Sequence, residues 1–154
     1  MAGFRTYRGQ QWIERPRDEV FAFFADAGNL EVITPPWLRF RVLGMDTPRI
    51  QQGSLIRYKL SLRGIPFGWK TQIRTWDPPY RFTDVQLSGP FALWHHTHVF
   101  HEANGGTMMT DVVRYRVPFG FVGRIVEAIQ VRRDVRRIFR YRRECIERVF
   151  PPKA

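Results

Sequence analysis

Hydrophobic and polar positions form a series of short runs that turn residues interrupt. The runs predict strands at about 38–46, 53–63, 68–77, 80–87, 91–102 and 106–117. Short segments separate them, such as Asp77-Pro78-Pro79 and Asn104-Gly105-Gly106. Parallel strands need long crossovers, so this spacing predicts an antiparallel meander. Another strand is predicted at 4–13, and the 154 residues are expected to form one domain, 1–154.

Helical patterns occupy the segment between the first two strands and the segment that follows the last strand. Pro16 begins a first helix and Gly28 ends it, while Asn29 caps a short second helix that stops before Pro35-Pro36. Over 119–149 the apolar residues fall on one stripe at helical spacing, and the opposite face is mostly arginine. A long sheet must bury one face, so we expect this amphipathic helix to cover it.

The turns near Gly89-Pro90 and Asn104-Gly105 allow facing residues to be paired by counting. The count places Asp84 opposite His96, His98 opposite Asp111, and Trp94 opposite Tyr115. The opposite face is the more polar one, with His95, Thr97, His101 and Arg114 among its members. We therefore expect the first face to point inward, with Phe82, Asp84, Gln86, Trp94, His96, His98, Phe100, Asp111, Val113 and Tyr115 on it.

The same stretch resembles a known superfamily. Its signature runs Asp84…Gln86…Gly89-Pro90-Phe91…Trp94…His96…His98…Phe100…Gly105-Gly106-Thr107…Asp111…Val113…Tyr115…Pro118…Gly120. This pattern is similar to the START-like superfamily, also called Bet v 1-like or SRPBCC, and to its bacterial polyketide cyclase/dehydrase-like or coenzyme Q-binding-like subgroup. The resemblance implies an α+β helix-grip fold. In that fold a seven-stranded antiparallel curved sheet wraps around a long C-terminal helix, two short helices follow the first strand, and a ligand cavity lies between sheet and helix.

A cavity of this kind identifies the side chains that we expect to contact a ligand. Besides the inward face of the central strands, Arg132 is notable because it lies beside the apolar stripe of the last helix. It either pairs with Asp84, Asp111 or a ligand acid, or extends to the helix edge. The expected ligand contacts are Tyr58, Trp69, Ile73, Phe82, Gln86, Trp94, His96, His98, Phe100, Asp111, Val113, Tyr115, Ile125, Ala128 and Arg132.

The two carboxylate–imidazole pairs have three interpretations. They form a buried network that satisfies itself, or polar anchors for an apolar ligand, or a catalytic pair. In the catalytic case His96 or His98 acts as general base and Asp84 or Asp111 orients it. Zinc needs three or four ligands and no further ligand cluster is evident, so we expect neither a metal nor a cofactor.

Charge and cysteine content restrict the partners. The formal net charge is +11, mostly from arginine, which suits an anionic membrane surface or nucleic acid but equally a solvated surface. The predicted outer sheet face carries few aromatics, so nucleic acid is not expected as a partner, while peripheral contact with anionic membranes stays open. With one cysteine, no signal-like N-terminus and no long apolar stretch, we expect a cytoplasmic protein of undetermined oligomeric state.

Three function hypotheses follow. The favoured one is a non-catalytic protein that binds or carries a hydrophobic or amphipathic small molecule, such as a lipid, a quinone or a polyketide-like compound. The second is an enzyme of the polyketide cyclase/dehydratase type that uses a His–Asp pair in the cavity. The third is a nucleic-acid or protein-binding module that uses the arginine face of the last helix.

Overall fold

The computed structural model describes residues 3–120, 122, 125 and 127–154, with the backbone alone at 127 and 128. Its strands are β1 (Arg5–Ile13), β2 (Arg41–Met45), β3 (Leu55–Leu62), β4 (Ile65–Asp77), β5 (Arg81–Ser88), β6 (Leu93–Ala103) and β7 (Gly106–Arg116). Its helices are α1 (Arg17–Phe24), α2 (Asn29–Ile33), a 3₁₀ turn (Pro36–Leu38), a π-helical turn (Glu127–Val131) and α3 (Arg132–Val149).

The strands form one antiparallel sheet in the order β1-β7-β6-β5-β4-β3-β2. Sequential hairpins join β2 to β7, and β1 closes the series by pairing with β7. Two register shifts interrupt the β4–β5 ladder, and extra residues of this kind bend a strand and increase its twist. The predicted helix-grip architecture, with its curved seven-stranded sheet, is confirmed.

The register of the central hairpins matches the count made from the turns. Asp84 lies opposite His96, and His98 lies opposite Asp111. Trp94 lies opposite Tyr115 as well. The short turns leave no room for a slip of one residue, which would have turned every side chain to the other face.

Several predicted boundaries differ from the observed ones. The first helix ends at Phe24 instead of Gly28, and Asn29 is the first residue of α2, whose N-cap is Gly28. The strand predicted at 68–77 begins earlier, at Ile65, because the turn before it consists of only Arg63 and Gly64, with φ of 52° and 78°. The last helix was predicted over 119–149, whereas its regular α-helical part begins at Arg132 after a π-helical turn. Residues 121, 123, 124 and 126 of that prediction lie outside the described residues.

The core divides into clusters at the two ends of α3. Cys145 and Ile146 pack with Phe24, Phe100 and other residues of α1 and the sheet. Val135 and Phe139 pack on Val113 and Tyr115 of β7. A third cluster, Ile50, Ile56, Tyr58 and Ile73, lies on the β3–β4 side. Burial of these apolar surfaces holds the helix over the sheet.

Candidate functional site

A cavity of about 870 Å³ lies between the sheet and the C-terminal helix. Its volume falls within the range of about 300–1,000 Å³ that is usual for small-molecule sites. Most of its walls are apolar, and they come from α2, the 3₁₀ turn, β3, β4, β5, β6 and the last helix. Apolar and aromatic residues on these walls include Leu30, Trp37, Leu38, Phe40, Ile50, Ile56, Leu60, Ile73, Phe91, Val135 and Ile138.

Eight of the fifteen expected ligand contacts line this cavity. They are Tyr58, Trp69, Ile73, Phe82, Trp94, His96, His98 and Ile125, and the candidate catalytic residue Asp84 lines it as well. The side chain of Ala128 lies outside the described part of the structure.

The other expected contacts do not line the cavity, for identifiable reasons. Gln86 is bound to its own hairpin, since its amide contacts Phe91 N and O at 3.1 and 2.7 Å. The ring of Phe100 is enclosed by Phe21, Phe24 and Phe82 in the core. Val113 and Tyr115 pack beneath α3. Asp111 contacts the two histidines but does not itself line the cavity. Arg132 is half-buried and does not line the cavity either.

Several lining residues were missed by sequence reasoning. Arg142 is the most important of them. It lies in an arginine-rich stretch of α3, so the sequence does not distinguish it from the solvated arginines around it. Its side chain is 11% exposed, and Nη2 lies 4.0 Å from Asp111 Oδ1. Thus the expectation that a helix arginine meets Asp111 holds for Arg142 instead of Arg132. The signal that distinguishes Arg142 is its burial between α3 and the sheet. This burial depends on how the helix is rotated about its axis.

The polar wall of the cavity consists of two histidines and two aspartates. The side chains bond diagonally instead of straight across the ladder. His96 Nε2–H donates to Asp111 Oδ1 at 2.7 Å, and His98 Nε2–H donates to Asp84 Oδ2 at 2.8 Å. The two imidazoles stack with ring centroids 3.7 Å apart, and Phe82 stacks on His98 at 4.1 Å. We refer to Asp84, His96, His98 and Asp111 as the His–Asp cluster.

Two ring nitrogens of the His–Asp cluster have no hydrogen-bond partner. His96 Nδ1 has Asp84 Oδ2 as a charged neighbour at 4.0 Å. His98 Nδ1 is buried and lies 3.3 Å from Asp111 Oδ1, in an orientation that does not complete a hydrogen bond. Of the two, His98 Nδ1 is a buried nitrogen without a partner, which is uncommon and costly, whereas His96 belongs to the cavity wall, where a further group can reach it.

Burial and mutual contacts determine the charges within the cluster. Burial, with help from His98, lowers the pKa of His96 to about 4 despite the two aspartates. Burial also opposes protonation of His98, but its contacts with Asp111 and Asp84 outweigh this and raise its pKa. For both carboxyl groups burial alone would raise the pKa. Arg142 and the histidines keep the pKa of Asp111 well below its usual value, and the histidines keep that of Asp84 low.

The rim of the cavity contains polar contacts between sheet and helix. Arg63, in the β3–β4 turn, donates to both carboxylate oxygens of Asp134 at 3.0 Å. Elsewhere on the rim the Arg137 guanidinium lies 4.2 Å from the ring centroid of Trp37. These side chains are partly exposed, so solvent weakens the Arg63–Asp134 ion pair.

The curved sheet, the covering helix and a largely apolar cavity of small-molecule size between them define a helix-grip protein. A family model described as "Polyketide cyclase / dehydrase and lipid transport" matches residues 13–139. The chain belongs to this family. Family and fold together fit a role in binding a hydrophobic small molecule. No match was found among curated proteins.

Solved structures show the same fold at low sequence identity. Protein Ms6760 from Mycobacterium smegmatis is 20% identical, with a TM-score of 0.68, over 94% of this chain and 89% of that one. Protein CV1439 from Chromobacterium violaceum is 14% identical, with a TM-score of 0.74, over 97% and 99%. The major latex-like protein 151 of Panax ginseng is 14% identical, with a TM-score of 0.67, over 97% and 99%.

Within the described residues, no helix has both the length and the apolar character needed to cross a membrane.

Proposed function

We propose that this protein binds and carries an amphipathic small molecule, such as a lipid, a quinone or a polyketide-like compound, without converting it. The observation that carries this proposal is the cavity of about 870 Å³, whose apolar walls lead to one polar patch. Transfer of apolar ligand surface out of water stabilises the complex by roughly 25 cal/mol per Å² buried. A ligand with a long or multi-ring apolar body would gain most.

The polar patch supplies orientation to this ligand. Asp84 and His96 reach the cavity wall from neighbouring strands, and Arg142 reaches it from the helix. Arg142 Nε and Nη2 are buried without a hydrogen-bond partner. A hydroxyl, carbonyl or quinone oxygen bound near these groups would complete their hydrogen bonds while the apolar body fills the remaining space.

Native mass spectrometry of protein purified from its own host tests the proposal directly. We expect a co-purifying small molecule that is released unchanged on denaturation. As a matched pair, Leu62→Trp adds bulk at the cavity wall, whereas Leu87→Trp adds the same bulk at an exposed site of β5. Only Leu62→Trp should lower ligand occupancy. Equal occupancy in both variants, or an empty wild-type protein that also binds no lipid or quinone in vitro, contradicts the proposal.

Catalysis of the cyclase/dehydratase type is the second candidate, and one observation favours it. His96 is oriented by Asp111 through Nε2, and its Nδ1 makes no hydrogen bond. This arrangement is typical of a histidine that accepts a proton from a bound substrate. Against it, a pKa of about 4 makes His96 a weak base. The candidate requires that wild-type protein changes the mass or spectrum of its bound ligand and that His96→Gln does not.

We also infer contact with anionic membranes as the route by which ligand enters and leaves. Apolar side chains near the cavity mouth are exposed, with Trp37 at 42% and Ile129 at 68%, and the chain carries a net charge of +11. Co-sedimentation with phosphatidylserine vesicles should fall as salt rises, since screening weakens attraction to the surface. Binding to neutral vesicles alone, or to none, contradicts this inference. We expect no binding to nucleic acid and a cytoplasmic location.

A further inference from the structure

One donor atom from each of Asp84, His96 and His98 lies within 4.8 Å of the other two, among the residues that the structure describes. The i, i+2 spacing on β6 supplies the two histidines, and the β5–β6 register adds the carboxylate as a third ligand. We propose that these three side chains bind one divalent first-row transition-metal ion at the cavity wall. The sequence-based expectation of no metal considered the histidines without this third group.

The geometry of the donor atoms is close to that of a bound metal. Asp84 Oδ2 lies 2.8 Å from His98 Nε2 and 4.0 Å from His96 Nδ1. Ligands at about 2.0–2.2 Å from one tetrahedral ion are separated from each other by about 3.3 Å. Modest side-chain rotations therefore bring the three atoms to a common centre, with the remaining coordination position directed at the cavity.

Asp111 occupies the position of an outer-shell partner for both histidines. An ionised carboxylate accepts hydrogen bonds only, so His96 Nε2 carries the hydrogen in the 2.7 Å bond to Asp111. A neutral His96 then has its lone pair on Nδ1, the atom nearer to Asp84. Asp111 also lies 3.3 Å from His98 Nδ1. Metal-binding histidines are commonly held by a carboxylate on the other ring nitrogen in this way.

Metal binding would also give His98 Nδ1 the hydrogen-bond partner that it otherwise lacks. The ion takes the position of the hydrogen between His98 Nε2 and Asp84, and in a neutral His98 that hydrogen moves to Nδ1, which faces Asp111 and gains a partner. Asp84, which is itself a ligand, and Asp111 together outweigh the positive charge of Arg142, so the cluster with two neutral imidazoles carries a net negative charge that favours a cation.

Two imidazoles and one carboxylate suit ions such as Fe²⁺, Co²⁺, Ni²⁺ or Zn²⁺ better than Ca²⁺ or Mg²⁺, which prefer all-oxygen sites. An open position on such an ion faces the cavity, where a ligand oxygen or water binds. The metal site does not depend on which apolar molecule occupies the cavity. Its test therefore uses the metal alone and fails or succeeds separately from the proposed carrier function.

Titration of chelator-treated protein with Co²⁺, followed by visible absorption, tests the site. We expect saturation at one equivalent and an intense spectrum of a four- or five-coordinate ion. His96→Ala, His98→Ala and Asp84→Ala should each weaken binding by more than the factor of about 10–100 expected for Asp111→Asn, an outer-shell change. His95→Ala and His101→Ala are matched controls on the outer face of β6, and they should bind like the wild type.

A measurement on the wild type covers the case in which a variant fails to fold. Nitrogen NMR of the four histidine rings should show shifts at His96 and His98 on addition of Zn²⁺, with His95 and His101 unchanged. The proposal is overturned if wild-type protein binds none of these ions, if the shifts occur at the outer pair, or if folded ligand variants keep full affinity.

Discussion

The two faces of β6 carry the same residue type in different environments. His96 and His98 on the inner face are 4% and 3% exposed, and each bonds to an aspartate. On the outer face His101 is exposed and His95 is half-buried. Alternation along a strand thus separates a buried, hydrogen-bonded cluster from the histidines of the outer face without any change of residue type.

The largest expected effect comes from removing the helix side chain that covers the inner face. Phe139 stacks on Tyr7 with centroids 4.5 Å apart and meets the edge of His96 at 5.5 Å. Phe139→Ala should lower the free energy of unfolding by about 3–5 kcal/mol, because it leaves a void in the core. Urea unfolding measures it, with the exposed neighbour Arg140→Ala as control. A loss below 1 kcal/mol would show that α3 does not hold the cluster in place.

Removal of one cluster carboxylate should have the next largest effect. Asp111→Ala removes the acceptor of the His96 Nε2–H group and the buried negative charge that faces Arg142 and His98. We expect a loss of about 3 kcal/mol in unfolding free energy, in the range for a broken buried ion pair. Asp111→Asn keeps the shape and an acceptor oxygen, so it should lose less. Equal losses for the two variants would indicate that packing, not charge, dominates.

The outer face offers a smaller counterpart of this network. The hydroxyl groups of Thr83 and Thr97 lie 3.2 Å apart across β5 and β6. Thr97→Val removes one hydroxyl at nearly constant volume, and its cost should be about 1 kcal/mol, the net value of one hydrogen bond. Thermal unfolding of the single variants and of Thr83→Val/Thr97→Val isolates the pair. A cost equal to that of Asp111→Ala would remove the contrast between the two faces.

The smallest effect is expected for the outer histidines. His101→Ala should change the unfolding free energy by less than about 0.5 kcal/mol, because exposed side chains without partners contribute little. The same measurement on His98→Ala should show a loss several times larger, since the substitution strips Asp84 of its hydrogen bond and Phe82 of a stacked ring. Similar values for the two histidines would contradict the difference in environment.

The sheet could be predicted in detail, whereas the site could be predicted only in part. The turns at Gly89-Pro90 and Asn104-Gly105 determine which residues face each other, so the Asp84–His96 and His98–Asp111 register followed from counting. Among the expected contacts, Phe100 and Gln86 do not line the cavity. Being on the inner face does not decide whether a side chain reaches the void or is enclosed by neighbours.

By itself the sequence determined the sequential order of β2 to β7, the register of the central hairpins and the inward face, because these follow from short turns and from the two-residue period of a strand. Only the tertiary structure decided that His96 bonds to Asp111 and His98 to Asp84, since side-chain torsions select the diagonal partner. It likewise selected Arg142 among the arginines of α3. That choice depends on how the helix is rotated above the sheet, and the rotation is set by packing across the whole core.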